Sequence, residues 1–438
     1  MLRPLFVIFT ILYASCGQGT PRIDTNDSVF TEKHDTISYL LLGNVKGHEI
    51  YIERDVNLKG GVCRLPKNMN LYIKGGVIKH GTLIGDGTKI IGKGAVFNKV
   101  IIKGNWDVPQ ISTQLFTNLD EVNSLRQVVA LAHPGIQNTI TIERGNYQVK
   151  AEKEADVCIP LCSNTNFVLN GSVHLEPNDF AKSDIIQVKG ENIHISGNGI
   201  ITGDKFSHTG EKGEWGMGIN FKRAVNSSVS GLTIQECWGD CIYVGGKSKN
   251  ILIEKCTLNN GRRQGISVTS ANGLTIRDCK ITKVKGTSPQ YAIDIEPNRW
   301  DSVNHVLIEN VQVEDCMGGF YVTRHVRKEG AKRPWVGNVT IRDCEVHALR
   351  RMPIRVKRCD EEFKMERCTI HALRGGGAIS IEGAEHAELI DNKVILKSRL
   401  TDAAVNATKK VMNKKIPKPI SISNVKHCIN KNNQILKR

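Results

Sequence analysis

Six short stretches of this chain end in the same way. LTIQEC closes on Cys237, ILIEKC on Cys256, LTIRDC on Cys279, VQVEDC on Cys316, VTIRDC on Cys344 and FKMERC on Cys368. Successive members are 19, 23, 37, 28 and 24 residues apart, which fits neither a CxxC pair nor a Cys/His zinc frame. Each cysteine therefore marks one register of a repeated unit and is expected as a small buried hydrophobe stacked in a ladder. A second strand repeats in step: GINFK from Gly218, CIYVG from Cys241, GISVT from Gly265, AIDIE from Ala292, GFYVT from Gly319, PIRVK from Pro353 and AISIE from Ala378. Its second and fourth residues are apolar almost throughout, while the third and fifth are mostly polar, the period-two pattern of a strand with one buried face. Two or three short strands per repeat of roughly 20 to 30 residues, with no helix long enough for a crossover, predict an all-β parallel β-helix. The Leu-x-x-Leu-x-Leu frame of a leucine-rich repeat is absent.

The chain divides around this solenoid, which is expected over 109–400. Residues 1–16 read as an export signal: Arg3 gives a positive start, Leu5 to Tyr13 an apolar stretch too short to span a membrane, and Ala14-Ser15 two small residues before Cys16. That ending is similar to a bacterial lipoprotein signal, in which Cys16 becomes the lipidated N-terminus; an ordinary secretory signal is the alternative. The expected location is the periplasm or the outer-membrane or cell surface, with membrane contact only through a lipid on Cys16. Residues 17–39 read as a linker and 40–108 as a small Gly-rich β unit. Thr117 to Ala132 is expected to be a helix capping the open end of the solenoid, and 401–438 a basic C-terminal segment where the repeat fades. A monomer is expected.

GDCIYVGG, NNGRRQGISV and YAIDIEPN, in successive repeats, resemble the right-handed parallel β-helix proteins of the pectate lyase-like superfamily. That group includes pectate lyases, polygalacturonases, alginate lyases and chondroitinases, and the resemblance covers about residues 110 to 400. It implies a right-handed helix and a carbohydrate-active enzyme. Asp240 matches a polygalacturonase catalytic position, although Gln264 stands where that family has His and Met217 where it has another Asp. The acidic-x-acidic pair Asp294 and Glu296 is similar in outline to the calcium-binding pair of chondroitinase-type lyases. It is followed by Arg299 and, one coil on, Arg324.

In such a fold the third and fifth residues of each strand copy point outward on one ribbed face. Coils stack about 4.8 Å apart, and two residues along a strand span about 6.6 Å. The face then carries Asn220, Lys222, Tyr243, Ser267, Thr269, Asp294, Glu296, Tyr321, Thr323, Arg355, Lys357, Ser380 and Glu382, with Asp240, Arg262, Arg263 and Gln264 in the turns beside it. Two carboxylates on one face suit acid/base chemistry or a calcium ion, and about 6.6 Å lies at the lower edge of the separation in inverting glycosidases. The favoured expectation is a polysaccharide lyase cleaving a uronate-containing glycosaminoglycan, alginate or pectin-like chain by β-elimination. Asp294, Glu296, Tyr321, Arg263 and Lys357 would do the chemistry, with Arg263 and Arg355 or calcium at Asp294 and Glu296 neutralising the uronate. Arg262, Gln264, Tyr243, Arg299, Arg324, His325, Trp335 and Arg355 would contact substrate. So would His208, whose coil lies about 14 Å from that of Asp294; it is an alternative proton-transfer group only if its loop folds inward. A glycoside hydrolase and a non-catalytic carbohydrate-binding β-helix are the alternatives.

Charge fits an acidic partner. The chain carries 60 Lys and Arg against 44 Asp and Glu, a formal net charge of +16. Residues 319–374 hold 14 of these cations and 7 anions, and 397–438 hold 11 and 1, so part of the excess lies beside the predicted groove. Five cations, His325 and Trp335 fall between Arg324 and Trp335, a combination suited to an acidic sugar chain. Export and the absence of zinc-finger, helix-turn-helix or RNA-binding motifs argue against nucleic acid.

Overall fold

The computed structural model describes residues 35–324, 334–373, 377–397 and 418–437, and from Asp35 onward the chain forms one compact unit. The period-two strands stack as expected. Ile242–Gly245, Ile266–Val268, Tyr291–Ile295, Gly318–Val322, Ile354–Val356 and Ile379–Ile381 lie side by side, each parallel to the next. Asn220, Tyr243, Ser267, Asp294, Tyr321, Arg355 and Ser380 fall in one register across them. Two further strands complete each coil, as Ala271–Arg277 and Lys280–Thr282 do after Ile266–Val268. Inward residues such as Ile266, Ile293, Ile295 and Phe320 are at most 1% exposed, so the core is a continuous apolar column.

What bends the chain between strands is a residue the hydrophobic pattern does not reveal. Directly before the ladder cysteines, Glu236, Lys255, Asp278, Asp315, Asp343 and Arg367 have φ between 52° and 56°, the left-handed region that turns an extended chain sharply. The cysteine that follows points inward. All six thiols are buried and free, and each bonds the carbonyl two residues back, at 3.1 to 3.6 Å.

The repeat does not stop at residue 400. Ile420–Ile422, Val425–Lys431 and Gln434–Lys437 pair in parallel with the strands of the preceding coil, so 418–437 is a further coil rather than a basic tail. The bend is conserved in geometry: Asp391 and Asn432 also have positive φ. Asn392 and Asn433 take over the cysteine position that follows it. Asn392 is fully buried, accepts the Cys368 N–H at 3.0 Å and donates to the Met365 carbonyl at 2.9 Å.

The expected capping helix is corrected to six residues, Ser124–Val129. Asn123 stops it from starting earlier: at φ 63° it is left-handed, and its backbone N–H and side-chain oxygen bond Gln148 and Lys150 instead. Leu125, Val128 and Val129 still cover the core. Upstream, strands between Thr36 and Trp106 also stack in parallel, apart from the antiparallel pair Asn44–Lys46 and Glu49–Ile52. Among the described residues no helix is long and apolar enough to cross a membrane. The export signal and Cys16 lie outside the described residues.

Candidate active site

Asp294 sits at the middle of the shared register and is only 2% exposed. Its outward direction follows from the strand pattern, but solvation does not: the face is a polar floor, with Asn220, Ser267 and Ser380 also buried. This corrects the expectation of an open ribbed surface. Oδ2 of Asp294 accepts a 2.7 Å bond from Nε2 of Gln264, and Oδ1 is buried with no hydrogen-bond partner. Burial first, then the neighbouring charge of Glu296, push the Asp294 carboxyl well above the usual carboxylate range, and Asp240 adds to that against the pull of Arg263. The group therefore holds a proton where an ordinary aspartate would have lost it. Glu296, two residues along the strand, is half-buried.

Gln264 was expected to touch substrate. Instead it is fully buried and spends both ends of its amide on the protein, since its Oε1 accepts the backbone N–H of Tyr291 at 2.8 Å. It positions Asp294. Arg263 is also committed: Nη1 lies 3.2 Å from Asp240 Oδ2 and 3.3 Å from Ser267 Oγ, and Nε lies 3.2 Å from Glu214 Oε2. Asp240 is fully buried, and burial pushes its carboxyl up to about 6 despite Arg263 and the Ser267 hydroxyl. Ser267, which bonds Arg263, lies in register beside Asp294.

The loop carrying His208 does fold inward. His208 stacks on Trp238 with ring centroids 3.8 Å apart, and the guanidinium of Arg262 lies 3.6 Å from the Trp238 ring. Asp204 Oδ2 holds His208 Nδ1 at 2.7 Å, and both side chains are buried. Arg262 also donates to the carbonyls of Gly213 and Trp238. This packed unit lies directly before Gly239 and Asp240, so His208 and Arg262 support the wall of the site rather than meeting substrate on its surface.

Other expected residues divide in the same way. Arg355 pairs with Glu382 at 3.0 Å and Arg324 with Asp360 at 2.8 Å. Arg263 and Arg355, the expected neutralisers of a uronate, are thus already neutralised by protein carboxylates. Tyr243 bonds Thr269 at 2.7 Å. Tyr321 stacks on Tyr291, centroids 4.8 Å apart, with Lys357 Nζ 5.8 Å from its ring. Lys357 and Arg299 are exposed, Arg299 over the largely exposed Trp300. Trp335 is half-buried in the short strand Trp335–Val336, paired with Ser302 of the strand Ser302–Glu309, and packs over Gly337, where an added Cβ would lie 2.3 Å from its ring. It is not the free stacking surface expected of it. His325 lies outside the described residues.

The pair Asp294 and Glu296 does not suit calcium, which takes six to eight oxygen ligands. One Asp294 oxygen is held by an amide, and Arg263 brings a positive charge to the same spot. Among the described residues, clusters of three or more such ligand groups occur elsewhere. Two elements of the site escape a sequence reading. Asp184 lies two coils before Asp240 in the same register, buried, raised by that burial, and bonded by Gln187 and Asn220. The Asp204, His208 and Trp238 stack depends on loop docking, for which no periodic signal exists. Asp184 had one: it is an acid inside the apolar strand KSDIIQV.

Parallel coils with this register define a β-helix, and residues 155–298 match the family model described as the right handed beta helix region. The chain is a right-handed parallel β-helix. It is similar to two Bacillus subtilis proteins, the prophage-derived YorA (26% identical over 216 residues, 44% of this chain and 34% of YorA) and YclG (27% over 207 residues, 40% and 35%). The matched segment spans about a third of each relative. Among solved structures it resembles the A-module of a mannuronan C-5 epimerase from Azotobacter vinelandii, with a TM-score of 0.47 at 14% identity, covering 72% of this chain and 94% of that one. A tailspike protein of an E. coli bacteriophage in complex with a pentasaccharide scores 0.44 at 16% identity, covering 68% and 60%. An exopolygalacturonase from Thermotoga maritima scores 0.38 at 12% identity, covering 63% and 83%. These likenesses concern the fold alone.

Proposed function

We propose that the protein hydrolyses an acidic polysaccharide, with Asp294 as general acid and Glu296 as general base. The observation that carries this reading is the unequal pair formed by Asp294, on the strand Tyr291–Ile295, and Glu296, the residue directly after it. Asp294 is buried and holds its proton, while Glu296 is half-buried, with access to water, about 6.6 Å along the strand. A carboxyl that keeps its proton suits the role of acid, and a neighbouring one within reach of water that of base. Asp294 donates its proton to the glycosidic oxygen as the bond from the anomeric carbon to that oxygen breaks. Glu296 takes a proton from the water that attacks the anomeric carbon, which predicts inversion. Asp240, Arg263, Ser267 and Gln264 hold the geometry and set the charge around Asp294. Exposed Lys357 and Arg299 support an anionic chain as substrate. On this reading the enzyme works outside the cytoplasm, tethered through a lipid on Cys16.

A second reading, β-elimination, is favoured by one observation: Tyr321 lies in register with Asp294, with the Lys357 ammonium 5.8 Å from its ring, so a phenol hydroxyl and an amine stand beside the acid. It is weakened by the ion pairs that occupy Arg263 and Arg355. Incubation with pectic, alginate and glycosaminoglycan chains, followed by product mass analysis, decides between them. Products whose masses sum to substrate plus water support hydrolysis. Unsaturated uronate ends would move the assignment to elimination, and binding with no product would leave a carbohydrate-binding module.

A further inference from the structure

On a different sheet of the solenoid, three side chains converge that no part of this chemistry uses. Glu345 and His347 lie two residues apart on Glu345–Ala348 and so share a face, and His371 on Thr369–Leu373 stands in register with His347 one coil on. The two imidazoles stack with centroids 3.5 Å apart and turn the same edge to one oxygen. Nε2 of His347 lies 3.0 Å from Glu345 Oε1, and Nε2 of His371 lies 2.9 Å from that same atom. We propose that Glu345, His347 and His371 form a binding site for a divalent first-row transition ion of the zinc type.

Ligand chemistry and spacing carry the argument. Two imidazoles and a carboxylate are a donor set that suits zinc, whereas calcium and magnesium prefer oxygen alone. Ligand atoms around a tetrahedral ion with bonds of about 2.0 Å lie about 3.3 Å from one another; both Nε2 atoms already lie within 3.0 Å of the carboxylate oxygen, and the stacked rings turn out of parallel so that their Nε2 lone pairs converge on the ion. Two successive coils supply the ligands, which makes the ion a staple across the stack. Partial exposure of His347 and Glu345 leaves the remaining coordination positions to water or a further ligand. A second cluster, Glu385 with His386 and His427, is a poorer candidate: Lys426 pairs with the Glu385 carboxylate at 2.8 Å, and both histidines are exposed, with ring centroids 4.7 Å apart.

The full chain, stripped with chelator and dialysed, is titrated with Co2+ and Zn2+ while the visible cobalt bands and the binding heat are followed. One equivalent is expected, with the intense bands of a four-coordinate site, together with a zinc-dependent rise in melting temperature. Affinity should fall at least tenfold in His347→Ala, His371→Ala and Glu345→Gln, and stay unchanged in His427→Ala. Glu345→Gln keeps an oxygen acceptor for both imidazoles, so it remains informative should a histidine variant fail to fold. Absence of binding, binding unaltered in these variants, or binding lost in His427→Ala overturns the assignment.

Discussion

Asp294 keeps its proton because three influences agree: it is out of water, Glu296 lies beside it, and Asp240 adds a second negative charge. Removing Asp240 therefore has a defined direction. In Asp240→Asn the repulsion that favours the protonated form is lost and Arg263 is freed to act on Asp294, so the alkaline limb of the activity profile should move to lower pH. An unchanged limb would separate Asp240 from the site. Asp294→Asn and Glu296→Gln should each abolish turnover, a loss of at least 100-fold, and retained activity would place the chemistry on another coil. Stability gives an independent check on Asp240. Its carboxyl titrates at about 6 in the folded chain and near 3.8 without the fold, so the folded state binds the extra proton between those values. The contribution of Asp240 to stability is therefore full below about 4 and is lost as pH rises through about 6, by up to ~3 kcal/mol. Asp240→Asn should remove that slope, and parallel melting-temperature curves for variant and parent would contradict it. Activity should also survive chelator, given the poor calcium donor set.

The elements show why some of this could be read in advance. A strand alternates sides by geometry, so the row from Asn220 to Ser380 could be written from sequence, and Asp294 and Glu296 with it. Ion pairing has no such rule: that Arg263 meets Glu214 and Arg355 meets Glu382 depends on loops and on the neighbouring coil. Expected neutralisers thus became structural pairs. The ladder cysteines announced themselves by a shared sequence frame, whereas the last bends, with Asn in place of Cys, kept the geometry and lost the frame. A left-handed residue followed by a buried amide at Asp391-Asn392 was the available clue. Two outcomes follow for these bends. Asn392→Ala leaves the Cys368 N–H and the Met365 carbonyl without their partner and should cost roughly 2 to 4 kcal/mol in denaturant unfolding; a loss below about 0.5 kcal/mol would mean that Asn433 or water replaces it. Among the described cysteines, alkylation of the native chain should reach exposed Cys428 first and half-buried Cys162 slowly, sparing the ladder. Rapid labelling of Cys279 or Cys316 would contradict the packing.

At the scale of the whole molecule each coil touches mainly the one before and the one after, so stability is propagated along the stack rather than shared through a central core. Ends should open first. Ile429 and Ile435 of the last described coil are 49% and 46% exposed, whereas the inward residues between Ile242 and Ile295 are covered on both sides. Hydrogen exchange should accordingly be faster in 418–437 than in 242–295, and equal protection would require something to cover that end. The shared register also gives a bound glycan a direction. On the proposed reading a chain laid along the row would meet Asn220, with Lys222 alongside, then Tyr243 and Ser267 on one side of Asp294, and Tyr321 and the Glu382-paired Arg355, with Lys357 alongside, on the other. Only one coil in the described row carries the acid pair, so on the proposed reading the point of cleavage would be counted from it in whole coils, and the residues on its two sides differ. On the proposed reading, a track whose two halves differ in this way would let the solenoid tell one direction of a sugar chain from the other.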